Sequence, residues 1–222
     1  MEKKKKTLGL FLFCLFLIVV FSCATPSYDL SPRELANLKL KAVKGDGDAA
    51  ERVLKYYLLL HYDVINEELW NFIGAENDNG YALDCLLYFL HPNQKDTRIR
   101  GAFWIYRYGI LFNKDMDNSL KYYDYNMETA KPPNDSLYPL VSTLSEADIQ
   151  KYNDGALLGS GQAALALGNH YDKDADSAEY WYRIGAQNRN ANCMEIYGNI
   201  LLGKKDDLDR ERGKFWLRKA SE

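Results

Sequence analysis

Histidine and cysteine, the residues that most often carry catalysis or hold metals, are scarce in this sequence. There are three histidines and four cysteines in 222 residues. His61, His91 and His170 lie far apart, none has a partner at the spacing of a metal site or a triad, and we expect exposed or capping roles for them. The chain also lacks a Gly-x-Ser-x-Gly elbow, a phosphate-binding loop and a His-Glu-x-x-His motif. The sequence therefore predicts no catalytic residue, no metal and no cofactor, and argues against an enzyme.

An excess of basic residues is missing as well. The chain has 28 Lys and Arg against 31 Asp and Glu, and the part after residue 22 has 24 against 30, a formal net charge of −6. A nucleic-acid partner requires a basic face, so none is predicted. Broad electrostatic adhesion to anionic lipid is disfavoured for the same reason.

One long apolar run is present, and it lies at the start of the chain. Lys3–Lys6 precede Leu8–Phe21, and Ser22 and Cys23 follow. A basic segment, an apolar segment of about 14 residues and a small residue are typical of a secretory signal peptide. The alternative is an uncleaved transmembrane anchor, but about 14 residues are few against the roughly 20 that cross a bilayer as a helix.

The pair Ser22-Cys23 resembles the lipobox of bacterial lipoproteins. The resemblance implies that residues 1–22 are a signal peptide cut between Ser22 and Cys23. It further implies that Cys23 carries acyl chains such as palmitate and that residues 23–30 form a lipidated tether to the membrane. Two or more acyl chains give stable anchoring. Ala24 follows the cysteine, which by the same resemblance favours the outer membrane, facing the periplasm.

Two cysteines remain for the folded part, since Cys14 leaves with the signal. Cys85 and Cys193 each lie among apolar residues on a predicted helix. An envelope compartment permits a disulfide between them. A free cysteine commonly behaves as a small buried apolar residue, and we favour two buried thiols.

Capping signals after the tether predict an all-α fold. Ser31, Pro32 and Glu34 form a capping box with proline at the first helical position, and the helix is expected to run to about Lys44. Ser145 predicts another helix start, and Asn153-Asp154-Gly155 a stop or turn.

Proline, with six residues, is also scarce, yet three prolines fall within 132–139. Regular helix is incompatible with that density, so we interpret residues 131–144 as a Pro-rich insertion. Residues 31–130 then form an N-terminal helical region with degenerate repeats, and residues 145–222 form C-terminal repeats.

Internal similarity is the main signal of the folded part. The stretches 108–123, 167–182 and 197–217 align, and every landmark of the first two is separated by 59 residues. A weaker match relates Trp70–Ala75 to Trp181–Ala186. Apolar residues recur at three and four positions within these units, which is the helical period. The pattern predicts stacked pairs of antiparallel helices.

These residues resemble the Sel-one-like repeat family, which is related to the tetratricopeptide repeats. The resemblance implies an α-solenoid, with a Leu-Gly pair on the first helix of each unit and Ala-x-x-Trp-Tyr on the second. Small residues allow helices to approach, and large aromatic rings fill the space between neighbouring pairs. The expected repeat-core residues are Trp70, Ala163, Leu167, Gly168, Tyr171, Ala178, Trp181, Tyr182, Tyr197, Gly198 and Trp216.

The spacing of one acidic cluster is similar to that of a calcium-binding loop. Asp172, Asp174 and Asp176 alternate, but the sixth and twelfth positions hold Ser177 and Arg183 in place of the glycine and glutamate of an EF-hand. Capping of a helix start explains the same residues better.

The function implied by these resemblances is binding, not chemistry. A membrane-tethered helical repeat protein facing the periplasm is expected to hold a protein partner. Lipoproteins with Sel-one-like repeats occur among the immunity proteins that neutralise phospholipase toxins of type VI secretion, so a secreted toxin is one candidate partner. An envelope assembly or scaffold lipoprotein is the alternative, and a cell-wall or β-lactam hydrolase is the least favoured, since the paired cysteines of such relatives are missing.

Overall fold

The computed structural model describes residues 28–141 and 143–222, and this part of the chain contains eleven α-helices and no β-strand. The all-α prediction is confirmed. The predicted signal peptide, its predicted cleavage site and Cys23 lie outside the described residues. Among the described residues, no helix combines the length and the apolar character of a membrane span.

The helices are numbered in chain order, and a π-helical segment, Tyr57–His61, directly follows α2. A single 3-10 turn, Asp135–Leu137, lies between α6 and α7. The helix bounds are α1 Pro32–Val43, α2 Gly47–Tyr56, α3 Val64–Glu76, α4 Gly80–Phe89, α5 Lys95–Phe112, α6 Asp117–Lys121, α7 Glu146–Leu157, α8 Gly161–His170, α9 Ala175–Gln187, α10 Ala191–Leu202 and α11 Asp207–Ala220.

Side-chain caps fix most of the helix starts. Ser31 accepts a hydrogen bond from the Glu34 N–H, the Glu34 side chain accepts one from the Ser31 N–H, and Pro32 is the first helical residue, as predicted. The Ser145 side chain accepts a hydrogen bond from the Asp148 N–H and caps α7, which confirms that helix start. Each such cap contributes about 1 kcal/mol by satisfying a free N–H group.

The predicted stop at Asn153-Asp154-Gly155 is wrong, because α7 continues to Leu157. Gly155 is needed for packing: a Cβ there would lie 2.3 Å from the Tyr138 ring. The chain turns instead at Gly159, whose φ of +116° is one that side chains other than glycine rarely adopt.

The chain is built from two equivalent halves, residues 31–112 and 145–220. Helices α1, α2 and α3 have 12, 10 and 13 residues, and α7, α8 and α9 have the same lengths in the same order. Equivalent residues lie 111 to 114 positions apart, as for the N-cap pairs Asp63 and Asp174 or Asn79 and Asn190. The weak match of Trp70–Ala75 with Trp181–Ala186 belongs to this duplication.

The 59-residue similarity, in contrast, relates helices of unequal length. It aligns α6, which has five residues, with α9, which has 13. The segment from α6 to α7 connects the two halves.

The two halves contact each other reciprocally. Each helix packs on the next within a half, α5 packs on α7, and the last helix, α11, packs on the first, α1. Gly45 after α1 is contacted by Phe215 of α11, and Gly159 after α7 is contacted by Phe103 of α5. The order of helix contacts therefore closes on itself.

Aromatic side chains fill the core between neighbouring helices. Trp70, Trp104, Trp181 and Trp216 are 1%, 0%, 8% and 3% exposed, as expected for core residues. Of the other expected repeat-core residues, Tyr171 is only partly buried, while a Cβ on Gly168 would lie 2.5 Å from the Tyr182 ring. Those that are buried are Ala163, Leu167, Gly168, Ala178, Tyr182, Tyr197 and Gly198.

Candidate binding site

A buried arginine of α11 joins the two halves. Arg212 donates from Nη2 to Glu76 Oε2 over 2.6 Å and from Nη1 to Asn77 Oδ1 over 2.8 Å and to the Val43 carbonyl over 3.3 Å. Its guanidinium carbon lies 3.9 Å from the centre of the Phe215 ring. Every one of these acceptors belongs to the first half, so Arg212 fixes α11 on α1 and α3.

The equivalent arginine, Arg100 of α5, makes the equivalent contacts in the other direction. It donates to Asn188 Oδ1, the Leu157 carbonyl and Gln187 Oε1 over 2.8, 3.3 and 2.7 Å. Its guanidinium carbon lies 4.1 Å from the centre of the Phe103 ring. The acceptors here are neutral, because Gln187 occupies the position of Glu76.

That difference leaves a buried cation without a carboxylate in hydrogen-bond contact, among the described residues. Burial lowers the pKa of Arg100 to about 9, and the positive charges of Arg107 and Arg183 act in the same direction. The nearest compensation is indirect, because Gln187 Nε2 donates to Glu76 Oε1 over 2.8 Å. One carboxylate thus serves Arg212 directly and Arg100 through an amide.

Arg183 of α9 lies in the same region with no acceptor at all in the described chain. Its guanidinium carbon is 5.7 Å from the ring centre of Phe72 on α3 and 5.7 Å from that of Tyr180. No hydrogen bond or ion pair links Arg183 to the residues that the structure describes, and its Nε is buried without a partner among them. The aromatic rings alone hold this half-buried cation.

Two cavities flank Arg183, one on each side. The larger, of about 410 Å³, is lined by Leu69, Trp70 and Phe72, and the smaller, of about 100 Å³, by Tyr180 and Phe72. They occupy equivalent places in the two halves, and the smaller has the bulky Tyr180 where the larger has Leu69. Arg183 lines both.

The mouth of the larger cavity continues into an exposed apolar surface, which we define as Leu59, Leu60, Tyr62, Val64, Ile65 and Leu69. Tyr62 and Ile65 are 79% and 82% exposed, and Leu69, which lines the cavity, is 50% exposed. Seven residues connect α2 to α3, against four between α8 and α9, and five of the seven form the π-helical segment. At the positions of Val64 and Ile65 the second half has Ala175 and Asp176.

The prediction of site residues from the sequence did not include the arginines or the apolar surface. One sequence pattern could have identified two of the arginines. Arg100-Gly101-Ala102-Phe103-Trp104 and Arg212-Gly213-Lys214-Phe215-Trp216 share four of five residues and mark the two helices that cross between the halves. No comparable signal marks Arg183, since its counterpart in the first half is Phe72.

The histidines and acidic residues take local roles. His61 and His91 are exposed, and His170 accepts a long hydrogen bond from the Leu144 N–H. Asp174 accepts from the Ser177 N–H and hydroxyl, and these hydrogen bonds lower its pKa, so the capping interpretation of the acidic cluster is confirmed. In the described part of the chain no three His, Cys, Asp or Glu residues are grouped as metal ligands.

Cys85 and Cys193 are both free. Cys193 is fully buried as expected, whereas Cys85 is only partly buried, a correction to the prediction of two buried thiols. The Sγ of Cys193 lies close to Gly185, where a Cβ would be 2.2 Å away, so its place is set by helix packing.

Comparisons with known proteins found no matching family model, no matching curated protein and no matching solved structure. Comparison of the two halves with each other is informative, because their first three helices match in length while many side chains differ. Helices α3 and α9 differ at eight of their 13 equivalent positions, and these include Glu76 against Gln187, Phe72 against Arg183 and Ile65 against Asp176. The candidate binding site is therefore the larger cavity with the adjoining apolar surface.

Proposed function

We propose that this chain is a protein-binding module tethered to a bacterial membrane through acylated Cys23 and facing the periplasm. Its helix pairs would be Sel-one-like repeats, arranged as a solenoid whose two ends meet. The observation that carries the proposal is the exposed apolar surface beside the larger cavity.

The apolar surface is not required by the fold. The second half forms the same helix pair with a short polar connection, Asp172-Lys173, and with Asp176 at the position of Ile65. Exposed contiguous apolar residues on a soluble domain usually mark a site of interaction. An insertion that adds such residues to one half only is therefore best explained by a partner.

The charges around the apolar surface favour a protein over a bilayer as that partner. Asp63, Glu67 and Glu68 lie among the apolar side chains. Anionic lipid head groups would repel these carboxylates. A protein with an apolar centre and a basic rim complements them.

The sharper form of the proposal is an immunity protein that blocks a type VI phospholipase toxin before the toxin reaches lipid. The resemblance to Sel-one-like lipoproteins supports it. Deletion of the gene is expected to sensitise cells to a single toxin delivered by sibling cells. Indifference to sibling attack, with several resident envelope proteins crosslinked instead, would favour an envelope scaffold.

A photocrosslinking amino acid at Ile65 in the full chain, expressed in its native envelope, tests the proposal. We expect one protein adduct at this position. The matched control is the same substitution at Leu137, which is 56% exposed but lies far from α3 in sequence and outside the apolar surface. Adducts with lipid alone, or equal protein adducts at the two positions, would contradict the proposal.

A further inference from the structure

Arg183 has the features of a binding residue that awaits an anion. It is half-buried, its guanidinium carbon lies 5.7 Å from the ring centres of Phe72 and Tyr180, and in the described chain no side chain or carbonyl accepts from it. Partial burial of an unpaired charge is unfavourable. Attraction to the two aromatic rings recovers part of that free energy.

The surrounding charges do not neutralise it. Glu76, the acidic residue of the neighbouring network, already accepts from Arg212 and Gln187. At the rim of the larger cavity, Asp206 accepts from the N–H groups of Leu208 and Asp209 as the cap of α11. Asp209 also lines the cavity but makes no ion pair with Arg183.

Other donors and cations line the same cavity. Lys39 contacts the faces of the Tyr57 and Trp70 rings at 5.0 and 5.7 Å and has no ion pair within the described residues. The indole N–H of Trp70, which is 1% exposed, has no acceptor there either. A guanidinium, an ammonium and an indole N–H that have no acceptor in the described chain border one cavity of about 410 Å³ and favour an acceptor-rich occupant there.

We propose that Arg183 binds a carboxylate, which an acidic side chain of the protein partner carries into the larger cavity. The source of the carboxylate rests on the proposed protein-binding function; the anion site itself does not. Leu69 belongs both to the apolar surface and to the cavity lining, so a partner on that surface reaches the mouth of the site. Arginine donates in a planar fork that matches a carboxylate.

The Nε–Hε signal of Arg183 in the NMR spectrum of the full chain in detergent micelles tests the site. The probe is N-acetylglutamate methylamide, which has one side-chain carboxylate, and its neutral counterpart is N-acetylglutamine methylamide. We expect a saturable shift with the first and none with the second. In Arg183→Gln, tryptophan fluorescence should report a Kd raised about tenfold or more, the effect of losing a charge-assisted hydrogen bond. Arg189→Gln, at an arginine that is 63% exposed, is the matched control and should bind as the parent does.

A titration with inorganic phosphate distinguishes a site for a free inorganic anion from a site for a carboxylate of a protein partner. A shift with phosphate but not with the glutamate probe would overturn the proposal in favour of a site for a free inorganic anion. Equal shifts with the glutamate and glutamine probes, or no shift in either, would overturn it as well. The Ile65 adduct is independent of these results, so its persistence would leave the protein-binding function standing without the carboxylate site.

Discussion

Gln187 and Glu76 occupy the same position in the two halves of the chain and are hydrogen-bonded to each other, from Nε2 to Oε1 over 2.8 Å. Two glutamates here would place like charges at contact distance, and two glutamines would leave two buried arginines without any carboxylate. One of each allows an amide to donate across the interface while a single carboxylate accepts from Arg212. A duplicated framework has thus become asymmetric where its copies meet.

Exchange of these two residues is the first prediction. Glu76→Gln removes the carboxylate, and we expect the free energy of unfolding to fall by about 3–5 kcal/mol because Arg212 becomes an uncompensated buried charge. Adding Gln187→Glu moves the carboxylate to the other side, beside Arg100, and should restore most of the loss. Chemical denaturation measures both. Glu67→Gln on the same helix is the control, with a change within about 0.5 kcal/mol, and a double variant as unstable as Glu76→Gln would contradict the exchange.

The second prediction concerns Gly45, one of the two glycines with a left-handed backbone conformation. Gly45 has a φ of +111°, and a Cβ there would lie 2.8 Å from the Phe215 ring. We expect Gly45→Ala to lose about 1–3 kcal/mol through backbone strain and displacement of α11. Gly203→Ala serves as control, since Gly203 has a φ of −74° and its nearest neighbours are 3.4 Å away. Equal stability of the two variants would show that α11 does not press on Gly45.

The third prediction concerns truncation of aromatic side chains in the core. Trp181→Ala should cost about 3–5 kcal/mol, as large core truncations do, and Trp70→Ala at the equivalent position should cost a similar amount. Tyr62→Ala, at a side chain that is 79% exposed, is expected to change stability little. Thermal denaturation followed by circular dichroism distinguishes these cases. A near-zero effect at Trp181 would place its ring at the surface.

The fourth prediction concerns the reactivity of the two cysteine thiols. Burial raises the pKa of Cys193 to about 12 and raises that of Cys85 as well. At pH 8 both thiols are therefore protonated in the folded chain, and Cys193 should react with an aromatic disulfide reagent only after unfolding. Cys85, partly exposed, should react slowly before that. Cys85→Ala and Cys193→Ala assign the two phases, and the absence of any reaction in denaturant would indicate a disulfide.

The membrane tether gives the fifth. Cys23→Ser should leave the chain soluble or uncleaved, because acylation and cleavage both require the cysteine in the lipoprotein interpretation. Fractionation of cells, with mass spectrometry of the first residue, measures the outcome. A parent chain that itself retains residues 1–22, and that partitions to the membrane as Cys23→Ser does, would mean that residues 8–21 act as an anchor themselves.

Patterns among neighbouring residues predicted the helices well. They could not predict contacts between residues that are far apart in the sequence. Ser31 and Ser145 cap helices because an N-cap depends on three or four neighbouring residues. Gly155 led to a wrong prediction of a helix end. Its role is a contact with Tyr138, 17 positions away, and the local sequence around such a glycine is the same as around a glycine in a turn. The hydrogen bond from Arg212 to the Val43 carbonyl spans 169 residues, and no periodicity reports such a contact.

The candidate site was harder to predict for a related reason. Its residues become recognisable only when one half is compared with the other in space, as for Arg183 against Phe72. Read as a sequence, Arg183 is one charged residue on a predicted helix, and Leu59 and Leu60 continue an apolar run that suits a core. The three-residue difference between the halves is what exposes them.

The packing of α11 on α1 also limits how this architecture can change. An open array of helix pairs grows or shrinks by whole repeats and needs polar caps at its ends. Here α11 covers α1, so a helix pair stacked directly on either helix would have to displace the other, and loss of a single pair would uncover both. Under the proposed binding function, variation in the partner can instead come from side chains and from the connections between helices, as in the longer connection after α2, without any change in the packing of α11 on α1.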